Sequence, residues 1–306
     1  MIIGGQRSMN ASTPIGRGLG ISAGLEAGRA RDLAVNCERL GYHSLWSNDE
    51  PTAAGLETLA QFAGVAPQLE LGVGVLPLDR HQPVAIAAEI ARLGLDPAKL
   101  WVGVGSGQLH APIDLVRRAV AELRELLPEG TRIVVAAMRP RMCRLGGAIA
   151  DGVLLNWIPP EAVPQSVRQI EIGAKRAGKN VADLEIAAFI RTLVTDDPAP
   201  ARAWLARDIT GYVIVDSYAR FFAGCGFGAE VEAVSNAWKA GDRAGAVRQI
   251  SERFLDGLGV VGPAEFCRQR LAEFAKAGLT QPVVIPLPPD SDPKATVART
   301  LQAVAA

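Results

Sequence analysis

A chain of 306 residues of which 49% are apolar can bury one large core, and its 32 Lys plus Arg balance its 32 Asp plus Glu to a formal net charge of zero. That balance argues against a broad electrostatic surface for nucleic acid or anionic membrane. No basic-then-apolar leader opens the chain and no apolar run reaches the ~18 residues of a membrane span, so neither secretion nor a membrane partner is expected.

Cys37, Cys143, Cys225 and Cys267 lie far apart with no CxxC pair, the pattern of buried thiols in a reduced, cytoplasmic protein. The three histidines, His43, His81 and His110, lack metal-site spacing, and no metal is expected.

From residue 17 onward, short β-branched runs alternate with amphipathic stretches. Strands are predicted near 18–22, 43–47, 69–76, 99–104, 131–137, 152–156 and 185–194. The stretch "AGRARDLAVNCERLGY" shows the helical pattern between them, with Leu33, Cys37 and Leu40 on one face. Each unit has the length of a strand, a helix and two short loops, which implies parallel βα pairs. From 198 to 277 only helical patterns appear, followed by a strand at 282–287 and a last helix at 293–305.

Eight parallel strands are the number that closes a barrel. The expected fold is therefore α/β, a (β/α)8 TIM barrel forming a single domain over 1–306. Residues 1–16 would be a poorly structured N-terminus, and 196–280 a helical insertion between strands seven and eight. An open doubly wound sheet is the alternative.

Barrel active sites lie at the C-terminal ends of the strands. That rule selects Ser22 after strand one, and Asn48, Asp49 and Glu50 after strand two. It selects Gly74, Val75 and Pro77 on strand three, and Gly105, Ser106, Gly107, Gln108 and His110 after strand four. Strand five offers Ala137, Met138 and Arg139, strand six Asn156 and Trp157, and strand seven Arg191 and Thr192. So many small and apolar groups suit a flat ring system better than a metal or a sugar.

Strands three and four also spend positions on glycine, in "ELGVGVLPL" at 70–78 and "LWVGVGSG" at 100–107. Glycine inside a strand marks a bulge or a close approach, read here as room for that ligand. Pro140 stands where a helix would begin, with Arg139, Arg141 and Arg144 around its first turn, an arrangement suited to a phosphate. Asp49, Glu50 and His110 are the candidates for proton transfer; helix capping competes for the carboxylates, and an exposed loop position for His110. His43 falls at the wrong end of strand two for chemistry, and His81 beyond strand three is a rim candidate. Phe221, Phe222 and Phe227 suggest an exposed apolar helix face and hence a homodimer.

Several motifs recur in order and spacing: "GYHSLWSNDEP", "LGVGVLPLDRHQPVAIAAEIARL", "LWVGVGSG", "PRMCRLGGAIADGVLLNW", "YARFFAGCGFGAEV" and "DGLGVVGPAEFCRQRLAEFAKAGL". Over residues 17 to 290 the chain resembles the luciferase-like monooxygenase superfamily, especially the branch using the deazaflavin coenzyme F420. The resemblance implies a barrel holding a deazaflavin at its C-terminal mouth, and hydride transfer to a small organic substrate. It implies a non-proline cis peptide at Gly74–Val75 backing the ring, with Ser106, Gly107 and Gln108 lining it. Ala137, Met138, Arg139, Asn156 and Trp157 would take the phosphate end.

Asn48-Asp49-Glu50, Gln108 and Arg139-Pro140 stand where relatives often have Asp-His, Glu and Gly-Pro. The alternatives are an FMN-dependent monooxygenase served by a partner flavin reductase, and a non-catalytic flavin or deazaflavin binder. A phosphate-binding barrel lyase is disfavoured because no lysine stands at a strand's C-terminal end.

Overall fold

The computed structural model describes residues 16–107, 112–287 and 293–305. In chain order the elements begin with β1 (Gly18–Ile21), α1 (Ala27–Arg39), β2 (Ser44–Ser47), α2 (Gly55–Ala60), β3 (Glu70–Pro77), α3 (Pro83–Leu93) and β4 (Leu100–Gly105). They continue with α4 (Pro112–Leu126), β5 (Arg132–Ala136), α5 (Pro140–Ile149), β6 (Gly152–Asn156), α6 (Val163–Arg176) and β7 (Glu185–Val194). Five helices follow before the next strand: α7 (Ala199–Val213), α8 (Asp216–Phe222), and, past a π-helical turn at Ala223–Phe227, α9 (Gly228–Lys239), α10 (Arg243–Arg248) and α11 (Glu252–Leu258). The chain ends with β8 (Gly259–Gly262), α12 (Ala264–Lys276), β9 (Gln281–Pro286) and α13 (Pro293–Val304).

β1 to β7 and β9 pair in parallel around a closed ring, β9 joining β7 to β1. This is the expected (β/α)8 barrel, with β9 as its eighth strand. The expectation of helices alone between 198 and 277 is corrected by β8. On β7, β9 pairs with 187–192, and β6 leaves the opposite edge free beyond Phe189. β8 pairs with 191–194 on that vacated edge, which satisfies backbone groups that would otherwise be orphaned.

Side chains alternate across each strand, and the inward positions stack in layers. The lowest is polar. Trp101 Nε1 donates to Glu70 Oε2 at 2.6 Å and Arg132 Nη1 to Glu70 Oε1 at 2.7 Å, while the Arg132 guanidinium lies 4.2 Å over the Trp101 ring. His43 stands 3.5 Å from the same carboxylate, the structural place expected for it. Above this plug, Trp46, Trp101, Val134, Leu154, Ala187, Phe189 and Val283 fill the barrel. A larger apolar shell between strands and helices forms the outer core.

This interior adds a second role for the glycines. A Cβ on Gly72 would lie 2.3 Å from Trp46 Cε3, and one on Gly74 would lie 2.6 Å from Leu154 Cδ2. These positions make room for the protein's own core, and Gly74 also lines the cleft at the barrel mouth. Gly103 serves the strand next door: β3 carries one extra residue between Val73 and Leu76, and a Cβ on Gly103 would lie 2.2 Å from Val73 O.

Phe221, Phe222 and Phe227 are 8%, 0% and 4% exposed. They form the core of the 199–258 helices, where Phe227 stacks on Phe254 at 4.2 Å and Phe222 meets it edge-on. The aromatic face taken as a dimer surface is therefore buried within the chain. Among the described residues no helix is long and apolar enough to cross a membrane, and Cys37, Cys143 and Cys267 are buried free thiols.

The polar plug has a pH signature. Burial alone would raise the Glu70 pKa, but hydrogen bonds from His43, Trp101 and Arg132 outweigh it and hold the carboxyl down at about 2. A depressed carboxyl stabilises the fold above its unfolded pKa, and that stability is lost as pH falls through the folded value. Acid titration of wild type should therefore lose stability from about pH 4.3 downward. Glu70→Gln should flatten that limb in denaturation midpoints measured between pH 7 and pH 3. An unchanged slope would show that Glu70 is not the group responsible.

Candidate functional site

At the C-terminal mouth a cleft of about 510 Å³ opens. Its apolar wall comes from strand ends: Gly74, Val75 and Pro77 of β3, Gly105 of β4, Ala136 of β5 with Ala137 and Met138 beyond it, and Leu154 of β6. The peptide Gly74–Val75 is cis, as the resemblance implied. Gly107 closes the turn after β4 with φ +58, and a Cβ there would lie 2.2 Å from the Asp79 carboxyl carbon. Small side chains on three adjacent strands thus leave one broad, low wall.

Asn48, Asp49, Glu50, Ser106, Gly107, Arg139 and Asn156 also line the cleft. Ser22 is exposed at the end of β1 and does not reach it, and Trp157 lies behind the wall, 1% exposed. Gln108 and His110 lie outside the described residues. Pro140 opens α5, with extended Arg139 as its N-cap, as expected. Arg139 is exposed and forms no ion pair among the described residues.

Asp49 is deeply engaged. Its side chain is 4% exposed; Oδ2 receives Arg80 Nη2 at 2.9 Å and lies 2.8 Å from His81 Nε2, while Oδ1 accepts the Gly55 N–H at 3.1 Å. The capping bond to α2 therefore falls to Asp49. Glu50 pairs only through its backbone with Ala53, and its half-buried carboxyl has no partner among the described residues. Asp49→Asn should cost about 2 kcal/mol, the scale of charge-assisted hydrogen bonds, in urea denaturation at pH 7. A loss below about 0.5 kcal/mol would mean that the cluster behaves as an exposed ion pair.

The far wall joins Asn156 and Arg191, which the strand-end rule selected, to tyrosines that sequence reasoning left out. Arg191 is only 6% exposed, with its guanidinium 3.7 Å above the Trp157 ring and an N–H donated to Asn156 Oδ1. Burial lowers its pKa, opposed by Tyr212 and Asp208. Trp157 holds a positive φ of 51, uncommon for a bulky residue; its ring meets Tyr212 at 5.2 Å, and Tyr212 meets Tyr218 at 4.7 Å. Asn156 Nδ2 donates to the Tyr218 hydroxyl at 3.1 Å. Burial pushes that phenol up to about 12, so it remains protonated at neutral pH. Tyr212, Val215, Ser217 and Tyr218 bring the end of α7 and the start of α8 over the cleft. Arg191 was selected by its place at the end of strand seven, as a charge in the otherwise apolar "AAFIRTLV"; the tyrosines had no sequence signal.

Chemically, the mouth offers a flat apolar wall, an engaged Asp49–Arg80–His81 cluster, an unpaired Glu50 and a buried cation opposite. Comparison with known proteins agrees with this architecture. The chain is 22% identical over 293 residues to a 5,10-methylenetetrahydromethanopterin reductase of Archaeoglobus fulgidus, covering 83% of this chain and 88% of that protein. Its fold matches the coenzyme F420-dependent tetrahydromethanopterin reductase of Methanopyrus kandleri with a TM-score of 0.75 at 19% identity, covering 96% and 98% of the two chains. It also matches an F420-dependent secondary alcohol dehydrogenase solved with an F420–acetone adduct, with a TM-score of 0.69 at 17% identity, covering 95% and 99%. The model of the family described as luciferase-like monooxygenase matches residues 9–129 and 107–281. The match spans β1 to β8 and ends at the first residue of β9, which is most of the chain, and the protein belongs to the luciferase-like monooxygenase family.

Proposed function

We propose that the protein is an oxidoreductase that moves a hydride between coenzyme F420 and a small organic substrate bearing a C=O, C=N or activated C=C bond. The observation that carries this reading is the low wall of Val75, Gly105, Ala136 and Ala137 at the barrel mouth, which offers a planar tricycle carbon surface to lie on. The F420-dependent relatives support the choice of cofactor.

The residues fit the group. Val75 and Gly74 would back the ring, and Arg139 with the first backbone N–H groups of α5 would hold the phosphate end, since a helix N-terminus favours anions. Bound there, the deazaflavin supplies a two-electron hydride donor or acceptor. The chain's own part is to orient substrate above the wall, exclude water and handle one proton. We assign the proton to the Glu50 carboxyl, because both oxygens of Asp49 are already engaged by Arg80, His81 and Gly55.

Fluorescence titration of the purified protein with F420 and, separately, FMN tests the reading. Tighter binding of F420, with turnover of reduced F420 that falls in Glu50→Gln while affinity stays within twofold, is the expected result. Preference for FMN with oxygen uptake would replace it with a monooxygenase fed by a reductase. Binding of neither would end it.

A further inference from the structure

The inward positions of β7 run Glu185, Ala187, Phe189, Arg191. Ala187 and Phe189 complete the aromatic floor, so Arg191 stands in the next layer, within the cleft. A buried guanidinium is normally matched by a carboxylate, because an unmatched charge loses its hydration without return. Here no Asp or Glu forms an ion pair with Arg191 among the described residues, and Asp208 acts on it only from a distance. Its contacts are neutral and fix its direction: the Trp157 face at 3.7 Å and the Asn156 carbonyl oxygen.

Asn156 also ties in a second donor. Its Nδ2 donates to the Tyr218 oxygen at 3.1 Å, so the phenol's own proton is directed elsewhere. Both groups line the cleft. One amide therefore orients a cation and a hydroxyl donor together, the components of an oxyanion receptor.

We propose that Arg191 and Tyr218 form a preformed receptor for an anionic oxygen group, and that the substrate presents a carboxylate or comparable anion to it. The substrate half of this statement rests on the deazaflavin reading above. β3 and β7 stand on opposite sides of the eight-stranded ring. A tricycle on the Val75 wall leaves the second ligand between its free face and Arg191. The receptor would then set specificity by rejecting neutral analogues, which would leave the buried charge unmatched.

The test uses the full chain with Arg191→Gln, Arg191→Lys and Tyr218→Phe. Thermal shift is measured with benzoate and oxalate against benzamide and oxamide at matched ionic strength. Fluorescence titration is run with F420 and with its riboflavin-level fragment, which lacks the phosphate. Wild type should be stabilised by the anions and not by the amides. Affinity for the anions should fall about tenfold or more in Arg191→Gln, partly recover in Arg191→Lys and weaken severalfold in Tyr218→Phe, with both deazaflavin affinities within twofold of wild type. Should Arg191→Gln fail to fold, the Lys and Phe variants carry the comparison.

A loss of F420 affinity confined to the phosphate-bearing form would assign the anion to the cofactor and overturn the substrate claim. An equal loss for both forms would place Arg191 against the ring, with the same consequence. Equal anion binding in wild type and variants would reduce Arg191 to a stacking partner of Trp157. Failure of wild type to bind either deazaflavin sinks the functional reading and the substrate claim with it, while the benzoate arm still decides whether the receptor exists.

Discussion

Trp46→Ala is expected to destabilise the protein by about 3–5 kcal/mol, the range for removing a large buried aromatic. The indole is 0% exposed at the centre of the barrel, 6.4 Å from the Trp101 ring and 6.3 Å from Phe189. The upper part of the range applies because the surroundings cannot collapse. The facing positions on β3 are Gly72 and Gly74, which have no side chains to move into the space, and strands in a closed ring cannot shift inward singly. Polar losses are smaller: Trp46 Nε1 donates to Ser44 Oγ at 2.8 Å and Gln281 Oε1 at 3.1 Å, and those two groups already bond to each other at 3.1 Å. The check is the urea denaturation midpoint at constant m-value. F420 affinity should drop with it, since the indole belongs to the floor beneath the cleft. A loss under 1 kcal/mol would mean that the barrel interior repacks.

Gly103→Ala should be strongly destabilising for the addition of a single methyl group. The added carbon would meet Val73 O at 2.2 Å and Gly74 Cα at 3.2 Å. The first obstacle is backbone, so relief requires moving the bulged part of β3. Overpacking of this kind costs typically about 1–3 kcal/mol and sometimes more. Val75 follows in the same bulge and faces the cleft, so F420 binding should weaken beyond what the lost stability explains. Gly211→Ala in α7 is the control: nothing lies within 4 Å of its Cβ position, and the change should stabilise by up to about 1 kcal/mol. Similar behaviour of the two variants would refute the steric account.

The eight barrel strands were legible because each is a short, largely apolar run between helical patterns, and periodicity is local. β8, "GVVG", was not: four residues with glycine at both ends carry no pattern, and the strand exists because β7 outlasts β6 and offers it an edge. The glycines of β3 and β4 were correctly read as marks of a bulge and close approach, but the core side chains that crowd Gly72 and Gly74 were not foreseen. A sequence shows that a side chain is missing and not whose atoms take its place. The same limit applied to Phe221, Phe222 and Phe227, whose apolar character was plain while the Phe254 that helps cover them lies about thirty residues away along the chain.

The sequence by itself determined the βα alternation, a strand count that suits a closed barrel, the end at which a site must lie, and the small residues that leave its wall low. These follow from hydrophobic period and from the rule that parallel strands end together. Only the tertiary structure decided that Asp49 is engaged by Arg80 and His81, that Arg191 meets Asn156, Trp157 and Tyr212 across the mouth, and that Asn156 also holds Tyr218. Those neighbours are joined by helices folding back over the barrel, and burial, charge pairing and ring stacking depend on distance in space, which chain spacing does not encode.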